Sequence, residues 1–445
     1  MSIRFFATNR DRDQLGRDLK RDTRIKLQTG GYYWIDTRGY MAHYLATTDP
    51  SKMPASIIFT NSEEEVFNAF LKKPAVKRVI IGIHGFNVPL QGAITSFSLL
   101  ADMLKQTKRL GPTIVTDPVL NIRRNPQTRQ IEQVITDWRD LDKVAGGPTL
   151  DDPVIWRKAK DLEQVSSRDE LQQKPISRLN DPDGDVTAFV GFSWPSNGKV
   201  IDYQSDRTEA VSTAPVLANL ISRIRIQNPN LKVHVIAHSM GNFLTCNMLA
   251  GLVDKVTTPL VKDAKSDGNL IDALWANADD PDKRDDPAKR INAQISRRDQ
   301  EGDKDFFIDR YVMLAPDVER RAVTQCDVDA IPGTPAEFLG PFHAGLYHLV
   351  EEVHMFYSRF DTALQASVME KEARETLAKV KEIIAGPDLE NRWENSLGLN
   401  PLPPLAPPNM YDYNGVTLAD RKLDHGDYFD ALAIGERISE IIMSA

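Results

Sequence analysis

Lys232-Val233-His234-Val235-Ile236-Ala237-His238-Ser239-Met240-Gly241 is the stretch that decides the fold. Its first six residues make a short apolar, β-branched run, the composition of a strand covered on both faces. Beyond Gly241, residues Phe243, Leu244, Met248, Leu249 and Leu252 recur at helical spacing, which predicts an amphipathic helix over 241–254. Between strand and helix, Ala237 and Gly241 place a small residue two positions before and two after Ser239. A strand-to-helix turn this tight tolerates only small neighbours. It lifts the serine oxygen above the carboxyl edge of a sheet and aims helix-start N–H groups at the same point. Serine is a poor nucleophile at neutral pH and needs both a base and donors for the developing oxyanion. Alone, a small-x-Ser-x-Gly string is a weak signal. With a strand running in and a helix running out, it reads as a nucleophile turn rather than an ordinary serine N-cap.

Other apolar runs alternate with helical patterns on both sides of this turn. Val76 to Gly85, Val186 to Pro195, Arg310 to Asp317 and Glu352 to Ser358 read as strands of a largely parallel sheet, with a weaker one at Asn409 to Val416. Residues 89–107, 206–226, 361–384 and 427–443 carry helical periodicity. The first of these strands ends in His84-Gly85-Phe86-Asn87, about 150 residues before Ser239. In a sheet of this kind that loop supplies one oxyanion donor and the residue after the serine supplies the other. The backbone N–H groups of Phe86 and Met240 are therefore the predicted oxyanion hole.

The turn and the loop before it resemble those of the α/β-hydrolases, a likeness which implies that the acid and then the base follow the serine along the chain. Of eight histidines, His343, His348, His354 and His425 lie beyond Ser239. His354 sits inside an apolar strand, and His343 and His348 precede it, so these three read as structural. His425 lies in the polar turn Leu423-Asp424-His425-Gly426-Asp427, before the last helix, and is the predicted base. Asp361 directly follows a strand and opens a helix, which makes it the first choice of acid, with Asp317 at the end of the preceding strand as the alternative. His238 is expected to point away from the turn as a packing or supporting residue.

Residues 1–75 read as an N-terminal extension whose segments Ile3 to Ala7, Gly31 to Ile35 and Ser56 to Thr60 add antiparallel edge strands. Residues 76–445 read as the catalytic domain, with polar insertions at about 108–181 and 254–307. Leu402 to Pro408 is a stiff proline-rich connector. The formal net charge of −8 argues against nucleic acid as the main partner. Two cysteines, Cys246 and Cys326, cannot form a disulfide framework. No early apolar stretch resembles a secretory signal, and no run approaches the roughly 18 residues of a membrane span. A cytoplasmic setting is the simplest expectation. No histidine pair has helical metal spacing, and Asp181-Pro182-Asp183-Gly184-Asp185 lacks the later calcium ligands, with Phe192 at the twelfth position. No metal or cofactor is expected.

These segments resemble the α/β-hydrolases, and within them a group of bacterial esterase/lipase-like proteins. The resemblance is carried by Ile83-His84-Gly85-Phe86-Asn87, Phe192-Ser193-Trp194-Pro195-Ser196, Val235 to Asn242, Ala315-Pro316-Asp317-Val318, Ser358 to Leu364 and His425. It implies a mostly parallel central sheet with helices on both faces and a Ser-His-Asp hydrolase of carboxylic esters, acting on a small-molecule or lipid-like substrate. The extended N-terminus and the two insertions depart from the family pattern. A thioesterase, amidase or phospholipase would use the same triad. A catalytically silent hydrolase fold acting as a binding module would instead show a broken one.

Overall fold

A computed structural model describes residues 3–10, 31–35, 37, 61–115, 120–124, 131–135, 185–196, 203–257, 306–324, 340–367, 396–403 and 405–445. Its centre is an eight-stranded sheet. In chain order the strands are β1 (Phe5–Thr8), β2 (Tyr33–Trp34), β3 (Val76–Ile83), β6 (Val186–Ser193), β7 (Lys232–His238), β8 (Ile308–Leu314), β9 (Val350–Tyr357) and β10 (Met410–Asn414). Their spatial order is β10-β9-β8-β7-β3-β6-β1-β2. A separate antiparallel ribbon, β4 (Leu120–Arg124) with β5 (Ile131–Ile135), lies in the stretch read as the first polar insertion. Most of the rest of both insertions, the turn at 181–184, the helix expected beyond 367 and the expected strand at 56–60 lie outside the described residues.

Every neighbouring pair in the large sheet is parallel except β1 with β2. The strands are parallel because helices cross between them, and burial on both faces explains why they read as continuous apolar runs. All residues of β6 and β8 are buried. Alternation assigns each side chain to one face. Val79, Ile81 and Ile83 of β3 join one core with Tyr311 and Met313 of β8, while Ile80, Val312 and Leu314 join the other. The first core is closed by α3 (Tyr203–Gln227), α4 (Met240–Thr257) and the short α5 (His343–Leu349), together with α1 (Asn61–Leu71). The second is closed by α2 (Leu90–Lys105) and α7 (Leu432–Met443), with α6 (Gly415–Ala419) beside it.

Two expectations need correction. The segment Ile3 to Ala7 does form a strand next to the sheet edge, but β1 runs parallel to β6, from Phe5↔Val190 to Thr8↔Ser193. No hairpin ties β1 to β6, so nothing forces antiparallel pairing. The direction is held at the carboxyl end, where Thr8 Oγ1 donates to Ser193 O at 2.7 Å and the Asn9 N–H to the same oxygen at 3.3 Å. The antiparallel strand is β2, only two residues long. The closing helix is also shorter than its periodicity predicts: residues 427–429 form a single 3-10 turn, and α7 starts at Leu432.

The registers Ile83↔Ala237, His238↔Leu314 and Leu314↔Phe356 bring the carboxyl ends of β3, β7, β8 and β9 into one row. Every residue singled out for chemistry follows one of these ends or packs against it.

Candidate active site

Ser239 is the single residue between β7 and α4. Its φ of 54° lies in the left-handed region, which costs a non-glycine residue about 1–3 kcal/mol unless its surroundings dictate it. They do here. The Ser239 N–H donates to Leu314 O at 3.0 Å, and Ser239 O accepts from the Asn242 N–H at 3.0 Å, Asn242 Nδ2 at 3.1 Å and the Asp317 N–H at 3.2 Å. Gly241 is obligatory, because a Cβ there would stand 2.5 Å from His84 O and 2.7 Å from Ile83 O. Gly85 is equally constrained: its Cβ would meet Ser239 Cβ at 2.6 Å. The loop after β3 thus lies directly on the serine turn. Phe86 follows Gly85 immediately. Met240 opens α4, so its N–H is among those at a helix start that have no intrahelical acceptor.

On the other side, Asp361 is fully buried and uses both carboxylate oxygens. Oδ1 accepts from the Leu364 N–H at 2.9 Å, capping the helical turn that follows, and Oδ2 accepts from His425 Nδ1 at 2.8 Å. Because an ionised carboxylate only accepts, the His425 proton resides on Nδ1 and Nε2 is left as an acceptor. The loop carrying His425 is tied back to the turn after β9. Ser358 Oγ donates to Leu423 O at 2.7 Å, and the Thr362 N–H and Oγ1–H donate to Asp424 Oδ1, both at 2.9 Å.

His238 does not point away from this arrangement, as the sequence reading had it. Its Nε2–H donates to the His425 carbonyl at 2.8 Å, and the two rings lie 4.4 Å apart. Burial, followed by the neighbouring His425, pushes the His238 pKa well below its ordinary value, so the ring stays neutral. The residue before the serine therefore holds the backbone of the residue expected to serve as base.

Asp317, the alternative acid, is taken up elsewhere. It accepts from Tyr203 OH at 2.5 Å and from Ser367 Oγ at 3.0 Å. Asp361, not Asp317, meets His425. His354 is satisfied between Tyr413 OH at 3.0 Å and Glu352 Oε2 at 3.1 Å, and His343 and His348 lie on α5. Tyr203, edge-on to the Phe86 ring, and Arg207, whose guanidinium sits 3.8 Å over the Phe243 ring, carry no signal in the sequence, because α3 meets those two rings only through the fold. Among the described residues, no group of three His, Cys, Asp or Glu side chains is placed to hold a metal ion. No described helix is long and apolar enough to cross a membrane.

Residues 59–421 match the family described as "Alpha/beta hydrolase of unknown function (DUF900)". The chain belongs to this α/β-hydrolase family. The DUF900 match runs from before β3 to just short of His425, so it takes in the serine turn and Asp361. Over its whole length the chain is 48% identical to an uncharacterized protein of Nostoc sp. (strain PCC 7120), alr1448, covering 94% of that protein.

Proposed function

We propose that this DUF900 protein is a serine hydrolase that cleaves a carboxylic ester through an acyl-enzyme. The observation that carries the reading is the 2.8 Å bond from His425 Nδ1 to buried Asp361, on a loop that His238 fastens to the strand ending at Ser239. Ser239 Oγ attacks the carbonyl carbon, and its proton passes to His425 Nε2. The resulting imidazolium is stabilised by the adjacent Asp361 carboxylate. The N–H groups of Phe86 and Met240 hold the oxyanion. Collapse breaks the bond to the alkoxy oxygen, which leaves as the alcohol with the proton from His425. Water, deprotonated by the same nitrogen, then attacks the acyl-enzyme, and Ser239 recovers its proton as the acid departs.

The test is labelling by a fluorophosphonate probe together with turnover of p-nitrophenyl esters of graded chain length. Wild type is expected to label and to turn over at least one ester. Ser239→Ala should lose labelling and lower kcat on the order of a million-fold. Turnover surviving in that variant would remove Ser239 from the mechanism.

A further inference from the structure

The oxyanion loop is joined by an unbroken series of buried hydrogen bonds to the N-terminal segment of the chain. Arg10, two residues past β1, is buried to 1% exposure. Its Nε–H donates to Ser193 Oγ at 2.8 Å, one terminal nitrogen donates to Val88 O at 2.6 Å, and the other reaches Ser196 O at 3.4 Å. Ser193 Oγ lies 3.1 Å from His84 Nε2, and His84 Nδ1 lies 2.8 Å from Gly85 O.

The direction of each bond follows from what its partners can do. Gly85 O can only accept, so the His84 proton is on Nδ1 and Nε2 is an acceptor. Nε2 then takes the Trp194 N–H at 3.2 Å and the Ser193 hydroxyl proton. Ser193 Oγ in turn accepts from Arg10, which can only donate. The ring is further held by the Trp194 indole, stacked at 5.4 Å with an interplanar angle of 8°, whose Nε1–H donates to His84 O at 2.8 Å. The whole path is dry, with His84 and Ser193 at 1% and 0% exposure. Desolvation and the Arg10 charge push the His84 pKa down to about 3, so the ring keeps this neutral tautomer throughout the ordinary pH range.

The path ends on a particular peptide. Gly85 C=O and the Phe86 N–H belong to one planar group, so a donor fixed on the oxygen fixes the direction of the N–H at the opposite end. Each donor in the series also polarises the next, which makes that N–H a stronger donor to a developing negative charge. The Val88 contact anchors the far side of the same loop.

We propose that Arg10, acting through Ser193 and His84, is a positioning residue that orients and polarises the Phe86 N–H for the oxyanion. The N-terminal segment is thus a working part of the active site rather than an edge extension. This inference rests on the serine-hydrolase reading above. Arg10 touches no reacting atom; its influence is on transition-state stabilisation, not substrate affinity.

The experiment compares wild type, Arg10→Met, Arg10→Lys and Ser193→Ala in the full chain, each checked for folding by circular dichroism and thermal melting. Readouts are the fluorophosphonate labelling rate, kcat and KM on the best p-nitrophenyl ester, and the affinity of an alkyl boronic acid, whose tetrahedral serine adduct places an oxygen in the oxyanion hole. Loss of an oxyanion donor typically costs about 100- to 1,000-fold in kcat, and misorienting one should cost about a tenth of that or more. Arg10→Met is therefore expected to lower labelling, kcat and boronate affinity together by roughly tenfold or more, with KM within about twofold. Arg10→Lys should recover part of the loss, since one charged donor remains. Ser193→Ala cuts the series without removing the charge and should fall in the same direction, so it reports even if Arg10→Met does not fold. Folded variants that label and bind boronate within twofold of wild type would overturn the proposal. Wild type that does not label at all would overturn the hydrolase reading, and this inference with it.

Discussion

Two loops converge on the turn at His238-Ser239, one at Gly85 and the other at His425, and they are built in opposite ways. The upstream loop, from His84 to Val88, hangs from buried bonds to Ser193 and Trp194 and a part-buried one to Arg10. The downstream loop, from Leu423 to Asp427, is held largely at the surface: Asp424 and Thr362 are exposed, and the His425 side chain is 24% exposed. The difference fits the roles proposed for the two loops, an oxyanion donor upstream and a base downstream. An oxyanion donor works best when it is already aimed and dry before charge develops. A base must exchange protons with leaving group and water in every turnover, so it needs access to solvent and only one firm orienting contact. Rigidity here is placed by task, and each loop can be tested for it.

Of the two loops, the larger effect is expected where the downstream one meets the fully buried Asp361 carboxylate. Asp361→Asn should lower kcat by about 10,000-fold, because the amide favours the wrong His425 tautomer. Asp317→Asn, which leaves the His425–Asp361 bond intact, should cost far less. Steady-state kinetics on the same ester decides it: similar losses in the two variants would reopen the choice of acid. Asp361 was legible in the sequence because its position is local, directly after a strand and at the head of a helix. Ser239 and His84-Gly85 were legible for the same reason, since tight turns impose small residues that a reader can see.

The residues that escaped the sequence are those whose partners are far along the chain. Arg10 meets Ser193 across 183 residues, and His238 meets the His425 carbonyl across 187. No periodicity encodes such a meeting. The direction of β1 was missed on the same ground, because its pairing with β6 is fixed by Thr8 and Asn9 at Ser193 rather than by a turn. His238 could have been suspected from its place beside the serine, but only the packed loop shows which way its ring faces.

The dry side of the molecule should next reveal itself in acid. His84 and His234 are both buried neutral, with burial the main cause, and their pKa values are pushed down to about 3. The unfolded chain binds protons on these rings near pH 6.5, whereas the folded chain does not until about pH 3. Stability from them is therefore complete above about pH 6.5 and is lost as pH falls toward 3, by on the order of a few kcal/mol for each ring. Urea denaturation at stepped pH should show this slope. Among the described residues neither His234 ring nitrogen has a hydrogen-bond partner, and β7 places it away from the serine turn. His234→Leu should thus flatten part of the slope without changing ester turnover. An unchanged slope would mean that the His234 ring does not govern acid stability.

The smallest effect is expected from loosening the exposed loop. Thr362→Val keeps the branched shape and the backbone N–H bond to Asp424 Oδ1, but removes the hydroxyl bond to the same oxygen. A hydrogen bond open to water contributes about 1 kcal/mol or less, so the melting temperature should fall by no more than a few degrees. Because His425 is oriented by Asp361 and fastened by His238, kcat should stay within about threefold of wild type. A drop approaching that of Asp361→Asn would show that the downstream loop depends on its surface bonds as closely as the upstream loop depends on its buried ones, and the contrast between them would then lie in burial alone, not in rigidity.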